Sequence, residues 1–319
     1  MKVILIGHSI AIKKCIEISL QTSCCEIIAV FTHSKEEHKY DQELFDNNKD
    51  KYENYYYNVF DIEKDFNIPV IEYQNINAFD DYQKLISFHS DVLVSVGCRD
   101  ILKEQIINSF KYAINLHPFT LPNWRGGGLD SWMILNGAWN TTQYATSHFI
   151  NKTIDGGDII HQEPYFIPNF SYPLDIFKIR MDVIDKLFFN TIQKLKSNNI
   201  SKCIQNNEYS YYFPKLKSIK DGRIDLNWNG RDILKFIYAF SYPYPGSFLY
   251  YPELYKLHIL EASYIPRDNI HPFSIGLIFR KQSKRFWFFV KDGEICVNKY
   301  YFEGIDDSNF TIKIGKFLR

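Results

Sequence analysis

Net charge is what this 319-residue chain most plainly lacks, because 37 Lys and Arg balance 37 Asp and Glu. A neutral chain carries no field that would gather nucleic acid or an anionic membrane, and neither partner is expected. Long apolar runs are missing as well. Val3-Ile4-Leu5-Ile6 after Lys2 is too short for a signal-peptide core and far too short to cross a bilayer; it is expected to be a buried first strand. Cysteine is sparse: Cys15, Cys24, Cys25, Cys98, Cys203 and Cys296 show no paired metal-ligand spacing. The adjacent pair Cys24-Cys25 suits no simple disulfide framework, so reduced thiols and a cytoplasmic location are expected. Zinc-type His/Cys clusters are absent, and no metal is expected. Gly7 is followed by His8-Ser9-Ile10 rather than completing Gly-x-Gly-x-x-Gly, which argues against a nicotinamide or flavin site. No Gly-x-x-x-x-Gly-Lys-Ser/Thr segment marks a P-loop. Internal repeats are also absent.

What the chain does contain is a rhythm. Short runs rich in Val and Ile at 2–6, 26–32, 69–73, 91–97 and 113–117 alternate with helix-like stretches at 11–20, 80–88 and 101–110. Continuous apolar strands separated by helices predict a Rossmann-like α/β fold, its mostly parallel sheet covered on both faces. Function in such sheets sits beyond the carboxyl ends of the strands. Residues 33–60, rich in Asp, Glu, Lys and Tyr, interrupt the rhythm as an insertion or a surface helix. Ile176, Ile179, Val183, Leu187 and Ile192 predict one amphipathic helix over 173–195. Short aromatic and β-branched runs at 247–251, 256–260, 275–279, 286–290 and 294–298, with a turn at Asp292-Gly293, predict a small antiparallel β-domain. The chain therefore divides into a domain over 1–200, a polar linker over 201–216 and a β-rich domain over 217–319. The last holds 16 basic and 11 acidic residues, a mild tilt that an ordinary solvated surface explains.

Chemistry concentrates between 113 and 160. Asn115 and His117 stand two apart at the end of a predicted strand, so their side chains share a face and can converge on one substrate atom. Pro118 and Pro122 turn the chain into a loop. Arg125-Gly126-Gly127-Gly128 then leads into a helix starting near Leu129; a Gly-rich turn of this kind can approach an anion closely, or can simply be flexible. Asp155-Gly156-Gly157-Asp158 reads as a turn between runs at 144–150 and 159–166. His8, His148 and His161 read as structural.

Taken together, Asn115-Leu116-His117-Pro118, Leu121-Pro122, Arg125-Gly126-Gly127 and Asp155-Gly156-Gly157 resemble the folate-dependent formyltransferase family. The family includes methionyl-tRNA formyltransferase, glycinamide ribonucleotide transformylase and the sugar N-formyltransferases. Asp221-Gly222-Arg223-Ile224-Asp225, Trp228 and Tyr242-Pro243-Tyr244-Pro245-Gly246 are similar to the start of the second, OB-like domain in the tRNA and sugar enzymes, so the resemblance covers nearly the whole chain. It implies formyl transfer from 10-formyltetrahydrofolate to a primary amine, with Asn115, His117 and Asp155 as catalytic residues. Asn115 and His117 are expected to hydrogen-bond the formyl oxygen as charge develops there, each contributing about 3–4 kcal/mol. Asp155 is expected to orient His117. The resemblance also implies that backbone groups around Val96, Gly97, Cys98, Arg99 and Ile101, with Ile154, hold the donor. Trp124, Arg125, Gly126 and Gly127 are expected on the acceptor side, and a homodimer is implied.

Three acceptors compete. The tRNA enzymes carry a basic insertion after the second strand, whereas residues 34–61 here contain Glu36, Glu37, Asp41, Glu43 and Asp46, and phosphate binding needs positive charge. Glycinamide ribonucleotide transformylase leaves 217–319 unexplained, and the hydrolase relatives begin with a regulatory domain where this chain begins at the first strand. A nucleotide-linked amino sugar, of the deoxythymidine-diphosphate 4-amino-4,6-dideoxyglucose type and destined for surface polysaccharide, is the expected acceptor. Methionyl-tRNA formylation is the alternative, and a non-catalytic folate or nucleotide-sugar binding protein is the alternative of another class.

Overall fold

A computed structural model of the chain describes residues 1–197, 200, 203–252, 254–304 and 311–319. Residues 201 and 202 of the expected linker, and 198, 199, 253 and 305–310 of the flanking domains, lie outside the described residues. The described chain falls into two compact units. One comprises 1–127, 141–167 and 177–214, the other 128–140, 168–176 and 215–319.

The first unit is built on a seven-stranded sheet. Its strands are β1 (Lys2–Gly7), β2 (Glu26–His33), β3 (Val70–Tyr73), β4 (Val92–Val96), β5 (Tyr112–His117), β7 (Thr141–Phe149) and β8 (Ile159–Ile167). Their order is β3-β2-β1-β4-β5-β7-β8. The first five run parallel, and β7 and β8 add on antiparallel. The mostly parallel sheet is thus as expected. Alternation along β1 explains its two-sided burial: Ile4 and Ile6 join Phe31, Tyr73, Leu93, Leu102 and Phe110 in a core on one face. On the opposite face of β7, Ser147 Oγ accepts from Thr191 Oγ1 at 2.7 Å, and Thr191 lies on the helix Ile184–Lys196. The insertion after β2 forms the helix Lys35–Asp46, none of whose residues is buried.

The single helix expected over 173–195 is instead two, Pro173–Met181 and Ile184–Lys196. The break falls at Asp182, whose carboxylate accepts from Tyr55 at 2.8 Å and from Lys14 at 3.4 Å. A two-stranded ladder completes this unit: β6 (Arg125–Gly126) pairs in parallel with β9 (Tyr212–Phe213).

The second unit holds a five-stranded antiparallel sheet, order β10-β11-β14-β13-β12. Its strands are β10 (Ser247–Tyr251), β11 (Tyr255–Pro266), β12 (Ile278–Gln282), β13 (Arg285–Val290) and β14 (Gly293–Phe302). β10 and β13 coincide with their expected runs, β11 and β14 extend past theirs to Pro266 and Phe302, and β12 starts three residues late, sharing only Ile278 and Phe279 with the run at 275–279. The helix Gly230–Ala239 packs on β11 and against the helix Leu129–Leu135, where Ser131 Oγ donates to the Ala239 carbonyl at 2.7 Å. Tyr172 stacks on Tyr238 with centroids 4.8 Å apart. These contacts are why two stretches from early in the sequence belong to the later unit. Among the described residues, no helix is long and apolar enough to cross a membrane, and no group of His, Cys, Asp and Glu could hold a metal ion. None of the six cysteines is in a disulfide.

Candidate active site

Parity and register assemble the site. Asn115 and His117 share a face of β5, and antiparallel pairing sets His148 of β7 opposite Asn115 and Thr146 opposite His117. Onto this face folds the turn carrying Asp155, which adopts φ 50°, a conformation uncommon for any residue but Gly. Asp155 Oδ1 lies 3.3 Å from Asn115 Nδ2 and 3.7 Å from His117 Nδ1. Its Oδ2 accepts the Gly126 backbone N–H at 2.9 Å. The anion held by the Gly-rich turn is therefore the protein's own carboxylate. The structure thus brings Asn115, His117 and Asp155 together.

His148, expected to be structural, stands within this group. Its Nδ1–H donates to the Phe149 carbonyl at 2.8 Å, which leaves Nε2 to accept from Asn115 Nδ2 at 3.2 Å. Nε2 also lies 3.6 Å from Asp155 Oδ1. No motif marked His148; the only sequence signal is its place at the end of the strand before Asp155, and its meaning depends on register. Asn115 thus directs both amide hydrogens at the protein, through bonds at the long end of the normal range. His117 is 5 % exposed, and its Nε2–H donates to the Trp124 carbonyl at 2.6 Å. Nδ1 is then the nitrogen that faces Asp155.

Electrostatics follow from this packing. Burial pushes the His117 imidazole below its ordinary value, with Asp155 opposing that shift and His148 adding to it. Burial by itself would raise the Asp155 carboxyl. At the low pH where the carboxyl titrates, protonated His117, with His148 and the Gly126 N–H, outweighs burial and draws it well below the usual carboxylate range. The resting pair is a neutral imidazole beside a carboxylate.

The residues expected on the acceptor side are divided. The Trp124 ring stacks on Phe213 with centroids 5.2 Å apart. Arg125 is buried, and its guanidinium donates to Gln205 Oε1 at 2.7 Å and Asn207 Oδ1 at 3.1 Å, so its visible partners are protein groups. Gly126, at φ 108°, lies so close to β9 that a Cβ there would sit 2.3 Å from the Phe213 carbonyl oxygen. Gly127 is open, with nothing within 4 Å of a Cβ. Gln205, from the expected linker, donates from Nε2 to the carbonyls of Asp155 at 2.8 Å and Gly157 at 2.7 Å.

The residues expected to hold the donor follow β4. The Val96 carbonyl accepts from the His8 N–H at 3.2 Å, and Gly97 takes φ 71°. Cys98 Sγ lies 3.5 Å from the Tyr73 hydroxyl. The Arg99 N–H donates to His33 Nε2 at 2.8 Å, while its guanidinium pairs with the Asp41 carboxylate and the Glu37 carbonyl on the insertion helix. Ile101 is 66 % exposed, and Ile154, on the separate loop that carries Asp155, is 42 % exposed. Asp100 Oδ2 and His33 Nδ1 are buried with no hydrogen-bond partner among the described residues. An exposed Ile101 beside the unmatched acceptor of Asp100, with the unmatched ring nitrogen of the Arg99-bonded His33, fits a flat heterocycle that carries both donors and acceptors, such as a pterin.

Sequence relationships agree with this geometry. The formyl transferase family profile matches residues 1–169, and the profile of the formyl transferase C-terminal domain matches 217–310. This chain belongs to the formyl transferase family. It is 31 % identical over 184 residues to the bifunctional polymyxin resistance protein ArnA of Wigglesworthia glossinidia brevipalpis, covering 57 % of this chain and 28 % of ArnA. It is 29 % identical over 216 residues to the methionyl-tRNA formyltransferase of Clostridium tetani, covering 66 % of each chain. The chain thus spans less than two thirds of either relative. Among solved structures, it resembles an N-formyltransferase from Helicobacter canadensis in complex with folinic acid and dTDP-3-aminofucose. The TM-score is 0.67 at 19 % identity, covering 94 % of this chain and 100 % of the other. The sugar 3N-formyltransferase WlaRD, solved with dTDP and 5-N-formyl-tetrahydrofolate, gives 0.65 at 18 %, covering 96 % and 98 %. At these identities the likeness is one of fold.

Proposed function

We propose that this protein transfers a formyl group from 10-formyltetrahydrofolate to the amino group of a nucleotide-linked amino sugar. The observation that carries the reading is the junction of Asn115, His117 and Asp155 on one sheet face, with Asp155 ionised beside a neutral His117. Two structural neighbours, matched over almost their whole length, were solved with deoxythymidine-diphosphate ligands. That favours a sugar nucleotide, and the 4-amino-4,6-dideoxyglucose type is our choice among them. The acidic side chains of the helix Lys35–Asp46, Glu36, Glu37, Asp41, Glu43 and Asp46, favour it over tRNA, because phosphate binding needs positive charge.

When bound, 10-formyltetrahydrofolate would supply an activated formyl carbon, and the loop around Val96, Gly97, Cys98, Arg99 and Ile101, with Ile154, would hold it. A C–N bond forms between the acceptor amine and that carbon while the C–N bond to the donor breaks. His117 Nδ1 takes the proton the amine loses, since Nε2–H is committed to the Trp124 carbonyl. Asp155 stabilises the imidazolium, and His117 returns the proton to the departing nitrogen. Asn115 exchanges one of its long hydrogen bonds for the developing formyl oxyanion, a charge-assisted bond stronger than the one it gives up. The intact constellation argues against a purely binding role. We read 1–200 as the catalytic domain and 217–319 as an accessory β-rich domain, with a homodimer as the assembly. The free thiols suit a reducing cytoplasm.

The test is incubation with 10-formyltetrahydrofolate and a panel of diphosphate amino sugars, with charged initiator tRNA in parallel and mass spectrometry of the products. The reading expects a formylated sugar nucleotide that disappears in His117→Ala. Formylation of tRNA alone would refute the choice of acceptor.

A further inference from the structure

The two family matches leave residues 170–216 between them, and a tight side-chain junction of the site lies in that gap. Gln205 is 7 % exposed. A side-chain amide has two N–H donors and one carbonyl oxygen. Here both donors go to the turn that carries Asp155, through its own carbonyl at 2.8 Å and that of Gly157 at 2.7 Å. The oxygen accepts from Arg125 at 2.7 Å. The turn needs such a tie. Asp155 is held at φ 50°, and Gly157 sits so close to β7 that a Cβ would meet the Phe149 carbonyl oxygen at 1.8 Å.

The segment that presents Gln205 is itself anchored on both sides. Cys203 exchanges backbone hydrogen bonds with Ile159 at 2.9 and 3.1 Å, and the Arg125 N–H donates to the Tyr211 carbonyl at 3.0 Å. The β6–β9 ladder follows. Gln205 therefore links the two loops that supply Asp155 and its Gly126 donor, and it does so from a rigid support.

We propose that Gln205 is a positioning residue that fixes Asp155 against His117 and Asn115, so that chain outside both family matches completes the catalytic arrangement. This rests on the role of Asp155 proposed above. Two substitutions in the full chain separate the contributions. Gln205→Met keeps the volume and removes all three hydrogen bonds. Gln205→Glu keeps an acceptor for Arg125 but has no donor for the two carbonyls. The measurements are kcat, KM for donor and acceptor, thermal stability, and the His117 imidazole titration by NMR. Both variants are expected to lose ~100-fold in kcat, the effect of a catalytic group displaced by about an ångström, with both KM values nearly unchanged. His117 is expected to titrate at a lower pH in both, because Asp155, which raises it, is withdrawn.

Full activity in Gln205→Glu would overturn the proposal. So would an unmoved His117 titration in both variants, including where kcat falls only in step with the folded fraction. If the wild-type protein formylates no acceptor, the functional reading fails, and the His117 titration still decides the role of Gln205.

Discussion

Replacing Asp155 by Asn removes a charge while conserving shape, and the structure sets the size of the effect. In the Asp155→Asn variant the side-chain amide oxygen takes the place of Oδ2, which accepts the Gly126 N–H at 2.9 Å, so the turn keeps its anchor. What disappears is the negative charge 3.7 Å from His117 Nδ1, together with the Oδ1 acceptor of the Asn115 amide. Two unit charges at that separation interact by about 4 kcal/mol at an effective dielectric constant of about 20. That interaction exists only when His117 carries a proton, since burial keeps the resting imidazole neutral. It therefore stabilises the proton-transfer stage and not the bound ground state. At about 1.4 kcal/mol per decade, kcat should fall ~1,000-fold. KM for donor and acceptor should stay within about threefold. Single-turnover formyl transfer at saturating substrates measures the first quantity, and steady-state titrations measure the second. Retention of kcat within about tenfold, or a loss confined to KM, would refute the placement of Asp155 beside a proton-accepting His117.

Two further predictions concern residues around this pair. His148→Leu removes one of the two acceptors of the partly buried Asn115 amide, at 3.2 Å; a lost hydrogen bond costs about 0.5–1.5 kcal/mol, and kcat should drop ~10-fold with partial recovery in His148→Gln. Wild-type kcat in His148→Leu would show that the bond does not orient Asn115. His33 is buried, accepts the Arg99 N–H, and is pushed down to about 3 by burial, with His8 and Arg99 adding to the shift. The unfolded chain binds this proton near the ordinary His value, so between there and about 3 the unfolded state holds more protons. Stability should accordingly fall as pH drops through that window, His33 contributing about 1.4 kcal/mol per pH unit. Urea unfolding from about pH 7.5 to about pH 4.5 should show a shallower slope in His33→Gln by one proton, and parallel slopes would contradict the buried neutral ring.

Elements and much of the chemistry could be read from residue order, because they depend on local pattern. Val/Ile runs marked the parallel strands, and the aromatic runs of 247–298 marked the existence of β10 to β14 but not the full length of β11 and β14 or the start of β12. Period-two alternation was enough to put Asn115 and His117 on one face, and Asp155-Gly156-Gly157 announced its own turn. What depends on pairing between distant segments was not legible. His148 joins the site only because β7 runs antiparallel to β5 in one register, and a slip of one residue would turn its ring to the other face. Gln205 sits among polar residues that read as a linker, and only the fold turns its amide onto the carbonyls of Asp155 and Gly157. Arg125 was expected on the acceptor side from its place before the glycines, and only the fold shows its guanidinium donating to Gln205 and Asn207. Composition and spacing report what a side chain is able to do; which partner it meets is decided by tertiary packing, where desolvation makes each buried polar group find a match.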